Sequence, residues 1–496
     1  MTRSTPSIRF VNDLHSKLNC TPVGCISMVR SVADIRSDLA EAKRRGMAVA
    51  VAGGRHAMGG QQFVSGGMLL DTREFSRLLG FDAQRGLVTV EAGMQWPELI
   101  AHLQRLQPRA AGDVSPAWSI AQKQTGADRF SIGGSLAANV HGRGLTMKPI
   151  IADVESFDLI TADGEQHHCS RAENPDLFGL AIGGYGLFGI ISAVTLRLVP
   201  KRKLLRAVEL ASVEGLCAKF DACIAAGAQY GDFQFAIDPA SDDFLSLGVL
   251  SCYLPMPDDT PIPADQLALA PADWMALLEL AHTNKSEAFR RYADFYLASA
   301  GQIYDSDTQQ LSFYREDYHL VLDEKLGHVG SEVISELYVP RHCLSEFMRA
   351  AAADLRAHDV DVIYGTVRLI RRDDESFLPW AQQDSACVIF NLHVQHSAGG
   401  LAAAGEAFRR LIDLAALLGG SYYLTYHRHA TARQLRKCHP NFEAFLALKL
   451  EHDPEQRFQS DWYRHCKALL AGDGASQTGA SQTGASQTAA AMGLGA

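Results

Sequence analysis

Three glycine-rich segments, in fixed order along the chain, constrain its fold more than any other feature. The first is Val49-Ala50-Val51-Ala52-Gly53-Gly54-Arg55-His56-Ala57-Met58-Gly59-Gly60-Gln61, an apolar β-prone run that ends in a loop with four glycines. The second is Ser131-Ile132-Gly133-Gly134-Ser135-Leu136-Ala137-Ala138-Asn139-Val140-His141-Gly142-Arg143-Gly144, small-residue throughout. The third is Ala181-Ile182-Gly183-Gly184-Tyr185-Gly186-Leu187-Phe188-Gly189-Ile190-Ile191. Glycine admits positive φ and a close approach of backbone to ligand, and successive N–H groups in such a loop form an anion-binding concavity. The first loop therefore suggests a bound diphosphate. It has neither the Lys-Ser/Thr ending of a P-loop nor the GxGxxG that opens a dinucleotide-binding helix. One such loop alone is commonly a tight turn. Three in order within about 140 residues, separated by strand-like runs, are hard to explain as turns.

Taken together, the segments resemble the FAD-binding domain of the vanillyl-alcohol oxidase and p-cresol methylhydroxylase (PCMH-type) family. The resemblance covers residues 15–200 and, more loosely, 420–467. It implies an α+β fold: a PCMH-type FAD-binding domain of two α/β subdomains, and an α+β cap domain that shapes the substrate site. In that family the first loop wraps the diphosphate, the second runs along flavin and diphosphate, and the third closes over the adenosine side. The implied FAD contacts here are Gly53, Gly54, Arg55, His56, Ala57, Met58 and Gly59, then Ser131, Gly133, Gly134, Asn139, His141 and Gly142, then Gly186, Ile190 and Ile191. Members with covalent flavin carry a histidine in the first loop, often as Gly-x-Gly-His-Ser. The match Gly54-Arg55-His56-Ala57 implies an 8α-histidyl bond from His56, although Arg55 and Ala57 depart from the pattern; a histidine hydrogen-bonded to a phosphate, or one that fills the loop, is the other reading. A neutral imidazole nitrogen is a competent nucleophile for the flavin methyl group. Two readings of His141 stand, a place near the flavin pyrimidine and a satisfied loop histidine. Arg143 either offsets charge at the phosphate or flavin N1, where a cation raises the flavin potential, or is a surface charge.

At 496 residues the chain exceeds one simple core, so two or more domains are expected. It is 47% hydrophobic and 21% charged, with net charge −10 and no basic block, which disfavours a nucleic-acid partner. No apolar run approaches a membrane span, and residues 1–10 lack an apolar signal core. Ten cysteines are scattered; Cys20 and Cys25 have no matching second pair, so no zinc signature and no metal site is expected. The thiols suit a reducing cytoplasm.

Periodicity places the elements. Residues 24–29 are β-prone, Ser31 is a helix N-cap, and Val32, Ile35, Leu39 and Ala42 recur at helical spacing until Gly46. Strands follow at 47–51, 68–71 and 86–93, then a helix over 95–106 with Trp96, Leu99, Leu103 and Leu106 on one face. Residues 151–160 alternate into the hairpin turn Asp163-Gly164, and 190–199 close the first domain.

After Pro200 the composition shifts to β runs and long helical stretches, 274–297 and 401–418, which reads as the cap over 205–415. Three cap features suggest a site. Glu336 precedes Tyr338-Val339-Pro340. The strand Tyr364 to Ile370 resembles one that supplies an arginine, here Arg368, in sugar and polyol oxidases. Those relatives have an acid two positions earlier, where this chain has Thr366. Asn391, His393 and Gln395 share one strand face. In the 420–467 segment, Tyr426 stands where sugar-oxidising relatives carry an active-site lysine, which leaves Tyr426, His427, Arg428 and His429 as replacements. Residues 472–496, with three Gly-Ala-Ser-Gln-Thr repeats, read as a disordered tail.

The resemblance implies an FAD-dependent oxidoreductase. A small-molecule CH–OH group (sugar, polyol or related alcohol) gives hydride to flavin N5, a base takes the hydroxyl proton, and oxygen or another acceptor reoxidises the flavin. His427, His429 and His393 have a suitable unperturbed pKa for the base. Two alternatives stand: a flavin-dependent C–C reductase or desaturase of the sterol-reductase type, and a flavin-binding protein with a decayed active site.

Overall fold

The computed structural model describes residues 9–108, 117–313, 315 and 317–473. The tail expected over 472–496 lies outside the described residues from 474 onward, whereas 472 and 473 end a helix over 461–473.

A small parallel sheet holds the first glycine loop. Its central strand, Met68–Asp71, pairs with Cys25–Met28 on one side and Val49–Ala52 on the other. Parallel strands need a crossover, and helix Val32–Arg44 supplies the one from Cys25–Met28 to Val49–Ala52 on the far side of the central strand. Ser31 caps that helix by accepting from the Asp34 N–H at 3.2 Å. Ile35, Leu39 and Ala42 pack on Val49, Met68 and Leu70. The chain end returns here: the Val49 N–H donates to the Arg457 carbonyl at 2.7 Å, and Phe458 joins the same core.

A second, antiparallel sheet runs Gln166–Ser170, Val154–Ile160, Ile190–Pro200, Leu87–Glu91, Leu78–Asp82, with Trp118–Ile120 paired to the far end of Ile190–Pro200. The hairpin at Gly164 has φ +87°, the left-handed value such a turn uses. Helix Trp96–Leu106 buries Trp96, Leu99 and Leu103 against this sheet. Leu106 departs from the expected apolar face and is 45% exposed, because it ends the helix beyond the sheet's cover.

The third sheet has eight strands, in the order Ile303–Asp305, Lys203–Ser212, Leu247–Met256, Tyr230–Phe235, Val362–Ile370, Ser385–Gln395, Gly330–Pro340, Ser421–Tyr422. Side chains alternate across it. Val333, Leu337, Val388, Phe390 and Leu392 meet Phe347, Leu355, Phe408 and Leu411 of helices Leu344–Ala357 and Ala398–Leu417. The opposite face carries Glu336, Tyr338, Cys387, Ile389 and Arg368. There Tyr338, Cys387 and Ile389 cluster with Met58 of the first loop and Tyr423 and Tyr426 of the returning segment. The stretch expected to be one helix over 274–297 is two, Pro271–Thr283 and Lys285–Ala298. Asn284 breaks it and caps the second by accepting from the Glu287 N–H at 3.1 Å.

Candidate active site

The three glycine segments converge on one cavity of about 1130 Å³. Gly53 to Ala57 form one wall, Ser131, Gly133, Gly134 and Ala137 another, and Gly186 with Phe188 to Ile191 a third. The first two segments touch so closely that a Cβ at Gly53 would lie 2.0 Å from Ser131 Oγ. Bare backbone is thus required where these loops face the cavity. The returning segment pins the first loop from outside: the Met58 and Gly59 N–H groups donate to the Thr425 carbonyl at 3.2 and 3.0 Å, and Gln61 Nε2 donates to the Leu424 carbonyl at 2.7 Å. Glycine cradles and apolar walls fit FAD, while the Arg55 guanidinium at the first loop is ion-paired with the buried Asp71 at 2.7 Å.

A second chamber of about 930 Å³ adjoins the first and shares His56, Gln124, Phe130 and Tyr426 with it. Cap residues complete it: Trp274, Leu278, Phe313, Tyr318, Glu332, Ile334 and Asn391, with His15 and Met58 from the N-terminal part. The Trp274 and Phe313 rings stack at 6.4 Å and 6°. The shared wall is where a flavin ring and a substrate would meet.

His56 lies in that wall. Its Nδ1 is 2.7 Å from His15 Nε2, and its ring sits 4.3 Å from the Phe130 ring. Burial first, then the neighbouring His15, lowers its pKa to about 3; burial lowers that of His15 to about 4. Both imidazoles are neutral near pH 7, the nucleophilic form.

Tyr426 is the other shared side chain. Gln124 Nε2 donates to its hydroxyl oxygen at 3.1 Å. Burial and the Glu336 carboxylate push the phenol well above its ordinary value, so it is a neutral donor. Glu336 lies in a buried polar nest, where His141 Nε2 is 2.7 Å from its Oε1 and the Tyr338 hydroxyl donates to the same oxygen. Cys387 Sγ is 3.8 Å from His141 Nε2. Burial opposes the Glu336 charge, but His141, Tyr338 and Arg368 together hold the carboxyl below its usual range. Arg368 is 4% exposed, and its Nε and Nη1 have no hydrogen-bond partner; neither has Glu336 Oε2.

An acid lies across the sheet in the row that holds Thr366. Ile389 is opposite both Thr366 and Glu336, so Glu336 stands in the row of Thr366, two strands away.

The expected residues divide by position. Gly53, Gly54, Arg55, His56, Ala57, Ser131, Gly133, Gly134, Gly186, Ile190 and Ile191 line the first cavity, and Met58 lines the second. Gly59, Asn139, His141 and Gly142 stand behind the walls. Asn139 has φ +49° at the end of helix Ile132–Ala138 and donates to Asp373 at 2.8 Å. The Gly142 N–H donates to Gln122 at 3.0 Å. Arg143 is bonded to Gln309 and lies 3.7 Å from Asp232, away from both cavities.

His427 and His429 are not brought to the cavities, which corrects their expected place. Both stack on Phe408, at 4.3 and 5.5 Å, on the helix side of the sheet, and His427 Nε2 is 3.4 Å from Ser335 Oγ. The chain turns after Tyr426, so adjacent residues point to opposite sides. His393 is engaged with Glu332 at 3.2 Å and His328 at 2.9 Å rather than facing the shared wall. Asn391 lines the chamber, whereas Gln395 is exposed at the strand end. His15, Gln124, Phe130, Trp274 and Phe313 carried no sequence signal, since no glycine pattern or charged motif marks them.

The structure thus sets a glycine-lined cavity beside a second chamber. Residues 24–170 match the model of an FAD binding domain. An uncharacterised oxidoreductase, ORF5 in the fasciation locus of Rhodococcoides fascians, is 31% identical over 202 residues, 40% of this chain and 42% of that protein. L-gulono-1,4-lactone dehydrogenase of Mycobacterium tuberculosis is 23% identical over 457 residues, 90% of this chain and 96% of that enzyme. Cytokinin dehydrogenase 6 of Oryza sativa subsp. japonica is 33% identical over 179 residues, 33% of this chain and 30% of that one. The match thus spans less than half the length of the first and third. The FAD binding domain and the oxidoreductase and dehydrogenase relatives support an FAD-binding oxidoreductase of the vanillyl-alcohol oxidase and p-cresol methylhydroxylase kind. Among the described residues, no helix is long and apolar enough to cross a membrane.

Proposed function

We propose that the protein oxidises the CH–OH group of a small molecule held in the cap chamber. The observation that carries this reading is the shared wall of His56, Gln124, Phe130 and Tyr426 between the FAD cavity and that chamber. FAD, when bound, supplies a hydride acceptor at N5 that oxygen or another acceptor restores. The glycine segments hold its diphosphate and ring system, with Gly53, Gly54, Ser131, Gly133, Gly134 and Gly186 as the close backbone approaches. His56, neutral and held by His15, is the side chain placed for an 8α-histidyl bond.

Tyr426 binds the substrate oxygen. Its own oxygen accepts from Gln124, so its O–H is left to donate into the chamber. Glu336 and His141, which line neither cavity, act behind it: the Glu336 carboxylate, held by His141, adds to burial in keeping the Tyr426 phenol protonated as a donor. Arg368, a buried cation without a bonded partner, offsets negative charge that develops at the site. Phe130 and the cap aromatics exclude water from the reacting face. All ten cysteines are free, which supports the cytoplasm as its compartment.

The test is anaerobic mixing of the purified protein with a panel of sugars, lactones, polyols and aryl alcohols, followed by product analysis. Bleaching of the flavin with formation of a carbonyl product is expected. Bleaching with a product changed at a C–C bond favours the sterol-reductase alternative, and no bleaching with any donor favours a decayed site.

A further inference from the structure

Away from the flavin wall, one side of the cap chamber ends in a cluster of three histidines and a glutamate. His282 Nε2 lies 2.8 Å from Glu332 Oε1, His393 Nδ1 lies 3.2 Å from the same oxygen, and His328 Nε2 lies 2.9 Å from His393 Nε2. These three contacts each require a hydrogen or a cation between the two electron pairs. The rings have few hydrogens left to give. His282 Nδ1 is 2.9 Å from the Leu278 carbonyl and His328 Nδ1 is 3.2 Å from the Leu326 carbonyl, so each neutral ring spends its single N–H on backbone. Only the one hydrogen of His393 remains for three contacts. With those tautomers two hydrogens are still needed, and although burial opposes it, Glu332 raises the pKa of His282 toward supplying one of them as imidazolium.

Two further protons would fill the gap by making two of these rings imidazolium. The His393 ring is 5.0 Å from that of His282 and 5.2 Å from that of His328, in a mostly buried setting where Glu332 and, at His282, Asp361 favour one imidazolium but like charge disfavours a second. One divalent cation fills the gap without that repulsion. It replaces the two contacts to Glu332 Oε1, and the His393 hydrogen then goes to His328. All three donor atoms lie within 4.8 Å of one another. Zinc binds imidazole nitrogen and carboxylate oxygen at about 2.0–2.2 Å in a tetrahedron, so its donors stand about 3.3 Å apart. The observed 2.8 and 3.2 Å need only a small opening. Each imidazole ligand would also have its second nitrogen anchored, His282 on Leu278 and His393 on His328, as orienting partners of metal ligands are.

We propose that His282 Nε2, Glu332 Oε1 and His393 Nδ1 bind one divalent first-row transition cation of the zinc type, with its fourth position toward the chamber that Glu332 and Tyr318 line. That position takes water or an oxygen of the chamber's ligand. The spacing 282, 332, 393 belongs to no short metal motif; the site forms only because Glu332 and His393 face each other in the sheet register. This site stands independently of the flavin reading.

The experiment uses the flavin-loaded protein, stripped with chelator, reloaded with Zn²⁺ and passed through gel filtration near neutral pH. One equivalent of retained zinc is expected in the wild type and its loss in the double variant His282→Gln/His393→Gln, with flavin content unchanged. Wild type that retains no more zinc than the double variant overturns the proposal. X-ray absorption of the zinc-loaded wild type decides the matter even where the variant misfolds. A first shell of nitrogen and oxygen with imidazole scattering is expected, and a sulfur shell or no stoichiometric zinc overturns it.

Discussion

His15 and His56, 41 residues apart, meet at 2.7 Å through Nε2 and Nδ1 in the wall between the two cavities. Burial keeps both rings neutral near pH 7, so a hydrogen lies between them, and the contact fixes the His56 tautomer and ring orientation. His56→Ala is expected to abolish acid-stable flavin while free FAD still binds. His15→Phe is expected to keep FAD binding but slow covalent attachment by at least about tenfold, the scale of a lost orienting hydrogen bond. Flavin fluorescence of the acid-precipitated, denatured protein over time measures both. Attachment at the wild-type rate in His15→Phe contradicts the role of the contact.

Tyr426→Phe removes the O–H offered to the substrate but keeps the ring in the apolar cluster of Tyr338, Trp380 and Tyr423. Flavin content is expected to be unchanged and the rate of anaerobic flavin reduction to fall about 10²–10⁴-fold, the usual contribution of a positioned acid–base group. Stopped-flow absorbance reads the rate. A fall of less than about threefold contradicts the assignment of this hydroxyl.

Arg368→Met separates function from stability. A buried guanidinium with two unpartnered nitrogens carries a desolvation cost, which its attraction to the Glu336 carboxylate offsets, so its removal is expected to change the melting temperature little. Flavin reduction is expected to slow by at least about 10²-fold. Calorimetry and stopped-flow absorbance on the same preparation check the two halves. A large loss of stability would make Arg368 a structural cation instead.

Acid lability follows from the buried neutral histidines. Burial lowers His427 to about 3, with His429 adding to the effect, and lowers His439 to about 4. The ordinary value is 6.5. The unfolded chain therefore binds the proton that the folded one refuses. Stability is present above pH 6.5 and falls as pH drops toward the folded values, by up to about 1.4 kcal/mol per pH unit for each ring. His427→Phe, which keeps the stack on Phe408, is expected to flatten that slope by one proton. Urea denaturation at several pH values between 6.5 and about 4.5 measures it. An unchanged slope contradicts a neutral His427 in the fold.

What was legible in the sequence was local. Gly53, Ser131 and Gly186 mark backbone that must approach something closely, and such positions leave little choice of residue. The helix from Val32 was legible from its period and its Ser31 cap. Partners set by strand register were not. Glu336 was visible as an acid, but its place beside Arg368 depends on three strands aligning over Thr366, Ile389 and Glu336. The Glu332–His393 pairing is the same kind of fact. Tyr426 and His427 show the reverse limit, since two adjacent candidates point to opposite sides once the chain turns. Trp274 and Phe313 face each other across the chamber from separate segments, and no window that contains one contains the other's signal.

The most direct test of the account is an absorbance spectrum of the purified protein before and after addition of FAD, with Gly53→Val alongside. The wild type is expected to carry or take up one equivalent of flavin, seen as visible flavin bands. The variant, whose added Cβ would lie 2.0 Å from Ser131 Oγ, is expected to lose it. A colourless wild type that takes up no FAD would contradict the account, because the cavity, the chamber and every side chain assigned to the oxidation are organised around that cofactor.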